Sequence, residues 1–229
     1  MHHIVFSPHA DDAVLSLGGH LRAWRAADEQ VTVVTVFSIS DVAFGKQGSV
    51  AYVSALRTEE DRAALAPLGI ELVHLDLPDA PLRGYSVHPG SAGTHPSQVD
   101  ERRDATCMQK LEERIRAQLD EHAIHYFPLG YPEHGHVDHQ LVHRVGAMLL
   151  SSYRCCFYED LPYATRYPEP LTLIEELALT PGDRTVDISP KVELLTYYAS
   201  QIEPSYIEAV KGHRVEVGAR AIERLWFPR

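Results

Sequence analysis

The sequence predicts an α/β protein with a mostly parallel central sheet that is covered by helices on both faces. The first observation is that short, nearly continuous apolar segments alternate along the chain with longer segments of helical periodicity. Strands that are buried on both faces give such apolar runs, and their alternation with helices is typical of parallel sheets. The second observation is that polar clusters follow two of these runs, at strand ends where open α/β sheets bind ligands.

The first half of the chain contains three apolar runs that we predict to be strands. They cover residues 3–7, 31–38 and 71–78. Apolar residues at helical spacing between these runs predict helices over 14–27 and 51–67. Residues 79–100 are rich in Gly, Pro, Ser, His and Asp and have no clear period. We therefore predict a long loop there, and a long loop inside a compact domain is often functional.

The second half continues the alternation. The pattern predicts helices over 101–121 and 137–151 and strands over 123–130 and 154–162. Residues 171–189 are expected to form a strand pair or one irregular strand, because 180–183 read Thr-Pro-Gly-Asp, a turn signal. Two terminal helices are predicted over Lys191–Gln201 and Val215–Arg224. Without an internal repeat or a linker, residues 1–229 are expected to form a single domain.

Composition narrows the classes of partner. The 229 residues carry a formal net charge of -11, which argues against nucleic acid or an anionic membrane surface as a general partner. No apolar run is long enough for a membrane helix, and the start of the chain does not read as a signal peptide. Three cysteines without zinc-knuckle spacing suggest a reduced, cytoplasmic protein. A homo-oligomer is compatible with these observations.

The first polar cluster directly follows the first predicted strand. It reads Ser-Pro-His-Ala-Asp-Asp over residues 7–12. A neutral imidazole and a carboxylate are good ligands for zinc or a similar divalent ion, and His9 and Asp12 are spaced so that they can converge on one ion. Asp11 would then remain free as a base. Capping of the following helix by one of the aspartates is the alternative interpretation.

The second polar cluster follows the fourth predicted strand and contains His136, Asp138 and His139. It offers one metal ligand, a second imidazole beside the metal, and a carboxylate that can orient an imidazole. A solvated, histidine-rich start of a helix is the alternative, and His143 fits that interpretation. Taken together, the two clusters supply three ligands and leave one position open, as in catalytic zinc sites.

The two clusters together resemble the LmbE-like, or PIG-L, N-acetylglucosaminyl deacetylase family, whose hallmarks are P-H-P-D-D-E and a later H-x-D-H. Further similarity lies in Arg57-x-x-Glu60, Leu77-Pro78-Asp79, residues 158–163 and residues 223–226. The resemblance implies a Rossmann-like three-layer sandwich. It also implies zinc-dependent hydrolysis, by a metal-activated water, of the acetamide of an N-acetylated amino sugar or a related small molecule such as a natural product.

The resemblance also implies roles for individual residues. His9, Asp12 and His139 would bind Zn²⁺, although another divalent ion such as Fe²⁺ is compatible with these ligands. Asp11 matches the general base of the family, and His136 matches its catalytic histidine, supported by Asp138. The chain departs from the family pattern at three positions. Ala10 replaces a proline, Ala13 replaces a glutamate, and His134 stands where some members have a tyrosine.

Substrate contacts are expected from polar residues near the predicted strand ends. The candidates are Arg57, Asp79, Arg83, His134, Glu159 and Asp160. For the two arginines and Asp79, an ordinary surface salt bridge is the alternative interpretation. Two other functions remain open: an amidase that cleaves a larger acyl or thiol-conjugate amide, and a non-catalytic metal-binding or sugar-binding module. Asp11 and His136 argue against the second, because binding alone requires neither.

Overall fold

The central sheet contains strands from both ends of the chain. The structure is a computed structural model that describes residues 1–86, 96–217 and 220–229. In these ranges the strands are β1 (His2–Ser7), β2 (Gln30–Thr35), β3 (Glu71–His74), β4 (Ile124–Pro128), β5 (Cys155–Tyr158), β6 (Leu179–Asp187), β7 (Val215–Val217) and β8 (Arg220–Pro228). The helices are α1 (Asp12–Ala26), α2 (Val50–Leu65), α3 (Glu101–Arg116), α4 (Val137–Leu149), α5 (Leu171–Glu176), α6 (Ile188–Leu195) and α7 (Pro204–Gly212).

The order of the strands is β3-β2-β1-β4-β5-β8-β6, and β7 pairs with β8. Strands β1 to β5 are parallel to their neighbours, whereas β8 runs antiparallel to β5 and β6. The predicted α/β class with a mostly parallel sheet is therefore confirmed. Among the helices of the described ranges, none combines the length and the apolar character needed to cross a membrane.

Helices cover both faces of the sheet because the strands are apolar on both faces. In β1, Val5 packs into the core on one face, which also contains Trp24 of α1. Its neighbours Ile4 and Phe6 pack into the core on the other face, with Leu141 of α4. Successive residues of a strand point to opposite faces of the sheet. Because both faces are covered by a core, the consecutive residues 4–6 are all apolar.

The predicted C-terminal helix over Val215–Arg224 is wrong. The chain instead forms the short strand β7 and the long strand β8, and β8 pairs with β6 from Arg220 to Pro228. The inward positions of β8 include Ala221, Glu223 and Leu225, all of them buried. A glutamate at an inward position hides the two-residue alternation and made the segment resemble an amphipathic helix.

The region 171–189 also differs from the prediction in part. The helix α5 comes first, and a single strand, β6, follows it. The expected turn at 180–183 is absent, since Pro181 and Gly182 lie within β6 and pair with Trp226 and Leu225 of β8. A proline is tolerated there because β6 is the last strand of the sheet, where one side needs no backbone donor. The helix α6 ends at Leu195 instead of Gln201, and α7 was not predicted.

The strand order brings the two polar clusters together. Strands β1 and β4 are direct neighbours and parallel, so their carboxyl ends lie side by side at one edge of the sheet. The segment 8–12 follows β1, and the segment 129–139 follows β4. The residues after β3 and β5 emerge at the same edge, which adds Asp79 and Asp160 to this region.

Candidate metal centre

The turn between β1 and α1 is closed by three short hydrogen bonds. The Ser7 hydroxyl donates to the His9 carbonyl at 2.5 Å and accepts from the Ala13 N–H at 3.0 Å. The His9 N–H donates to Asp12 Oδ2 at 2.8 Å. Asp11 occupies the N-cap position of α1, yet its side chain makes no capping hydrogen bond. The capping interpretation therefore does not account for Asp11.

Three side chains bring ligand atoms to one point at this turn. Asp12 Oδ2 lies 3.3 Å from His9 Nδ1 and 3.1 Å from His139 Nε2. One ligand atom from each of the three residues lies within 4.8 Å of the other two. Tetrahedral ligands with metal bonds of about 2.0–2.1 Å stand about 3.3 Å apart. The spacing of these nitrogen and oxygen atoms therefore fits a divalent ion. This group is the one that the sequence predicts as metal ligands.

A carboxylate lies behind each of the two imidazoles. His139 Nδ1 donates to Asp160 Oδ1 at 2.9 Å, and His9 Nε2 donates to Asp138 Oδ2 at 2.8 Å. Asp160 is itself held by the Gly130 N–H at 2.7 Å. Such contacts fix which ring nitrogen carries the proton, and they leave the other nitrogen free for a metal. The outward-facing nitrogens are the two that approach Asp12.

The electrostatics of the group reflect tightly packed opposite charges. Burial alone would lower the pKa of His9, but hydrogen bonds to Asp12 and Asp138 outweigh it and raise the pKa to about 9. Burial likewise opposes the charged form of His139, and Asp12 and Asp160 raise its pKa to about 10. Burial favours protonation of Asp12, yet the two imidazoles hold its pKa far below the ordinary value. The pocket thus favours positive charge beside Asp12.

Asp11 behaves differently from its neighbour. Burial, followed by the charge of Asp12, raises the pKa of Asp11 to about 6, while Arg57 and His9 oppose the rise. Its carboxylate belongs to neither group of ligand atoms that could hold an ion among the described residues. A carboxylate with a raised pKa beside a metal site is suited to accept and return a proton near neutral pH.

His136 is the N-cap residue of α4, and its imidazole faces the ligand group. Its Nδ1 accepts the Asp138 N–H at 3.1 Å, and the Asp138 carboxylate lies 3.6 Å away. The ring stands edge-on to His9, with centroids 5.0 Å apart. Because Nδ1 accepts a hydrogen bond, the proton of a neutral ring resides on Nε2. His136 therefore combines helix capping with a donor at the site.

A second group of ligand atoms, from His9, His136 and Asp138, is also compact enough to hold an ion. It shares His9 with the first group. Asp138 Oδ2 already accepts from His9 Nε2 and from the Ala80 N–H, the latter at 3.1 Å. The group of His9, Asp12 and His139 is therefore the better candidate for an ion site.

Two of the predicted substrate residues, Arg57 and Asp79, lie close to each other, and the charge of Arg57 opposes the rise in the pKa of Asp11. Arg57 donates to the Ser40 hydroxyl at 2.8 Å and stands 3.8 Å from Asp79 Oδ2. Asp79 is 3% exposed, and its Oδ1 has no hydrogen-bond partner. The orphaned oxygen is a potential acceptor for a ligand hydroxyl or amide.

The other four predicted substrate residues contact protein groups. Asp160 lies behind His139, and Arg83 stands 2.7 Å from Asp138 Oδ1. Glu159 pairs with His213 and Arg214 at 2.9 Å and 2.7 Å. His134 stacks on Tyr167 with centroids 4.2 Å apart. The sequence did not predict the hydrogen bond between Asp160 and His139. The available signal was the position of Asp160 just after the end of β5.

A parallel α/β sheet with a three-ligand metal site and a nearby free carboxylate is typical of a metal-dependent hydrolase. Residues 4–150 match the family model of PIG-L, described as GlcNAc-PI de-N-acetylase. The chain therefore belongs to this family. This match confirms the family that the two polar clusters indicate in the sequence. No curated protein matches the chain.

Solved structures share the fold along the whole chain. Teicoplanin deacetylase in its zinc-inhibited form is 21% identical with a TM-score of 0.74, covering 99% of this chain and 97% of its own. The N,N'-diacetylchitobiose deacetylase from Pyrococcus horikoshii is 15% identical with a TM-score of 0.63, covering 99% and 84%. A 4-carboxy-2-hydroxymuconate hydratase from Pseudomonas putida is 18% identical with a TM-score of 0.55, covering 100% and 97%. One fold thus carries different reactions, so the reaction must be argued from the site.

Proposed function

We propose that this protein is a divalent-metal-dependent N-deacetylase that hydrolyses the acetamide of an amino sugar or of a related small molecule. The observation that carries the proposal is the convergence of His9, Asp12 and His139 beside an uncommitted carboxylate, Asp11. Amide hydrolysis requires an activated water, a proton carrier and stabilisation of an oxyanion. This group of side chains can supply all three.

We propose Zn²⁺ as the ion. Two imidazole nitrogens and one carboxylate oxygen are ligands that zinc accepts, and three protein ligands leave a fourth position for water or substrate. The same ligand set suits Fe²⁺, so the metal content of the purified protein decides between them. The similar teicoplanin deacetylase exists in a zinc-inhibited form, which makes the zinc dose a necessary variable for this protein.

We assign the proton transfers to Asp11 and the stabilisation of the oxyanion to His136. His9, Asp12 and His139 would hold the divalent ion, which when bound would supply Lewis-acid chemistry to a water and to the acetamide carbonyl. Asp11 accepts the proton of the attacking water. His136 donates a hydrogen bond from Nε2 to the oxyanion, because its Nδ1 is occupied by the Asp138 N–H. Asp11 then returns its proton to the departing amine.

Recognition of the sugar is assigned to Arg57 and Asp79. The charge of Arg57 acts on Asp11, and Arg57 lies 3.8 Å from Asp79. Asp79 retains an unpartnered Oδ1, while Arg57 supplies N–H donors. A carboxylate oxygen and a guanidinium match the donor and acceptor pattern of adjacent hydroxyls. Residues 87–95, part of the predicted pocket loop, lie outside the described residues.

We also propose a cytoplasmic setting with a small-molecule amide as the partner. The three cysteines, Cys107, Cys155 and Cys156, are buried and unpaired, which agrees with a reducing compartment. Fractionation of the native cells and detection of the protein would test this location.

The deciding experiment measures acetate release by metal-stripped protein reloaded with graded Zn²⁺ or Fe²⁺. The substrates are a panel of N-acetylated amino sugars, free and attached to larger aglycones, with longer N-acyl analogues as the comparison. We expect acetate release that depends on the ion and declines for longer acyl groups. Faster cleavage of the longer acyl groups would favour the amidase alternative. A metal-loaded protein that cleaves no acylated compound would overturn the proposal.

A further inference from the structure

Arg83 is a buried cation close to the metal-facing histidines, although the sequence places it at the start of a long loop. Its side chain is 6% exposed, and its Nη1 lies 2.7 Å from Asp138 Oδ1. Asp138 is fully buried, and its other oxygen accepts from His9 Nε2 at 2.8 Å. One carboxylate therefore links the guanidinium to the proposed metal ligand.

We propose that Arg83 is a positioning residue that acts through Asp138 on the metal ligand His9. The proposal rests on the proposed metal site and replaces the expectation that Arg83 contacts substrate. Arg83 would hold the Asp138 carboxylate in place. Asp138 in turn holds the His9 ring with its proton on Nε2, so that Nδ1 faces Asp12.

The surroundings of Asp138 explain why a cation is needed there. The Ala80 N–H donates to Oδ2 at 3.1 Å, and His136 lies 3.6 Å from the same oxygen. Oδ1 makes no hydrogen bond and meets Arg83 as an ion pair. A fully buried carboxylate is costly without a compensating charge. Without Arg83, the Asp138 carboxylate would be less firmly held and could turn away from His9, which would loosen this ligand.

Arg83 is also held from behind, which suits positioning better than substrate binding. Its Nε donates to Asp104 Oδ1 at 2.9 Å, and Nη1 donates to the Pro78 carbonyl at 3.0 Å. The guanidinium lies over the Phe37 ring at 5.0 Å from the centroid. Asp104 is buried in α3 and accepts a second hydrogen bond, from Tyr85, at 2.6 Å. The remaining nitrogen, Nη2, is shielded from solvent.

The test is zinc affinity, measured with the metal alone by competition against a chromophoric chelator. We expect Arg83→Met to bind Zn²⁺ about 10-fold to 100-fold more weakly, as is typical when a contact behind a metal ligand is lost. Arg83→Lys keeps the charge and should recover part of the loss. The matched control is Arg144→Met, which removes a cation from α4 that pairs with Glu101 and should leave the affinity unchanged.

A spectroscopic readout separates positioning from general destabilisation. The Co²⁺ absorption spectrum reports ligand geometry, and we expect it to change in Arg83→Met and to remain unchanged in Arg144→Met. If Arg83→Met does not fold, Asp104→Asn removes the negative charge that faces Nε and should weaken zinc binding about 10-fold. Asp104→Asn with unchanged affinity would then contradict the proposal.

The outcomes distinguish this inference from the proposed function. If the unaltered protein binds no zinc, or if His9→Ala and Asp12→Ala bind it as well as the unaltered protein does, the metal site itself is wrong. If the unaltered protein binds zinc and Arg83→Met matches its affinity and spectrum, only the role of Arg83 is overturned. A raised KM of Arg83→Met with unchanged zinc affinity would instead indicate that Arg83 contacts the substrate.

Discussion

At the scale of the residue, the adjacent aspartates Asp11 and Asp12 have identical side chains but opposite pKa shifts, because their surroundings differ. Asp12 lies between two imidazoles that hold its pKa far below normal, so it remains an anion. Asp11 lacks such partners, and burial raises its pKa to about 6. One carboxylate is thus suited to hold a cation and the other to exchange a proton.

Asp11→Asn tests this division. The variant should bind zinc as the unaltered protein does, because Asp11 belongs to neither group of described ligand atoms. Its kcat should fall about 10²-fold to 10⁴-fold, the usual contribution of a general base. Asp12→Asn is the matched variant and should lose zinc as well as activity. Loss of metal from Asp11→Asn, measured by elemental analysis, would contradict the assigned role, as would full activity.

Zinc affinity should rise with pH. In the metal-free protein the pKa values of His9 and His139 are raised to about 9 and about 10, so both imidazoles hold protons at neutral pH. The ion binds the deprotonated rings, so binding displaces at least one proton. We expect the association constant to increase about tenfold or more per pH unit from pH 6 to 8.

Calorimetry in buffers of different protonation enthalpy measures the protons released. A correction for zinc–buffer complexes is needed, and His122→Ala supplies a control because His122 is exposed. An association constant that does not change between pH 6 and 8 would mean that the two imidazoles are already neutral.

Sequence reasoning predicted the three residues whose ligand atoms converge, but not the side chains that lie behind them. His9, Asp12 and His139 follow from motif spacing and family resemblance, because the turn after β1 and the start of α4 are local structures. The contact of Asp160 with His139 and the burial of Arg83 depend on how β5 and α3 pack. Such contacts join distant parts of the chain, and one sequence contains no record of them.

At the scale of the element, β8 shows why the C-terminal helix was predicted wrongly. Glu223 is buried at an inward position and accepts from the Gly19 and His20 N–H groups at 2.9 Å and from Lys191 Nζ at 3.0 Å. His20 Nδ1 adds a contact at 2.7 Å. The strand is thus joined to α1 and α6 through one carboxylate, and its polar residue disguises the strand pattern.

Glu223→Gln should cost about 3 kcal/mol of unfolding free energy, because it leaves the buried Lys191 without a counter-ion. Burial favours protonation of Glu223, but Lys191 and His20 lower its pKa to about 2. A lowered pKa contributes stability above the unfolded-state value near 4.5, and that stability is lost as the pH falls toward 2. The difference between the two proteins should therefore shrink over this range.

Urea unfolding at pH 7 and at pH 3.5 measures both effects. Glu112→Gln is the control, since Glu112 pairs with Arg116 on an exposed face of α3 and should change stability by no more than about 0.5 kcal/mol. Equal stabilities of Glu223→Gln and the unaltered protein at pH 7 would show that the buried pair contributes nothing.

At the scale of the whole molecule, one sheet joins the two ends of the chain. It includes β1 at residues 2–7 and β8 at residues 220–228, and the proposed metal ligands come from the segments after β1 and β4. The antiparallel strands β8 and β6 extend the parallel part instead of forming a separate sheet. We therefore propose that residues 1–229 unfold as one domain.

Zinc binding tests whether the chain unfolds as one cooperative unit. An ion that binds only the folded state stabilises it by RT ln(1 + [L]/Kd), or about 2.7 kcal/mol when free zinc is 100-fold above Kd. If the chain is one cooperative unit, zinc shifts the whole thermal transition, including the part reported by Trp226 of β8, which lies in the strand next to β5. The same shift should be absent in His139→Ala, which lacks one ligand, and present in His122→Ala.

Two probes make the outcome unambiguous. Tryptophan fluorescence follows Trp24 in α1 and Trp226 in β8, and single-tryptophan versions (Trp24→Phe or Trp226→Phe) separate the two signals. Coincident transitions that move together with zinc support a single domain, because the proposed metal ligands lie far in sequence from β8 yet follow strands of the same sheet. Two separate transitions, of which only that of α1 responds to zinc, would show that the C-terminal strands unfold independently of the metal centre.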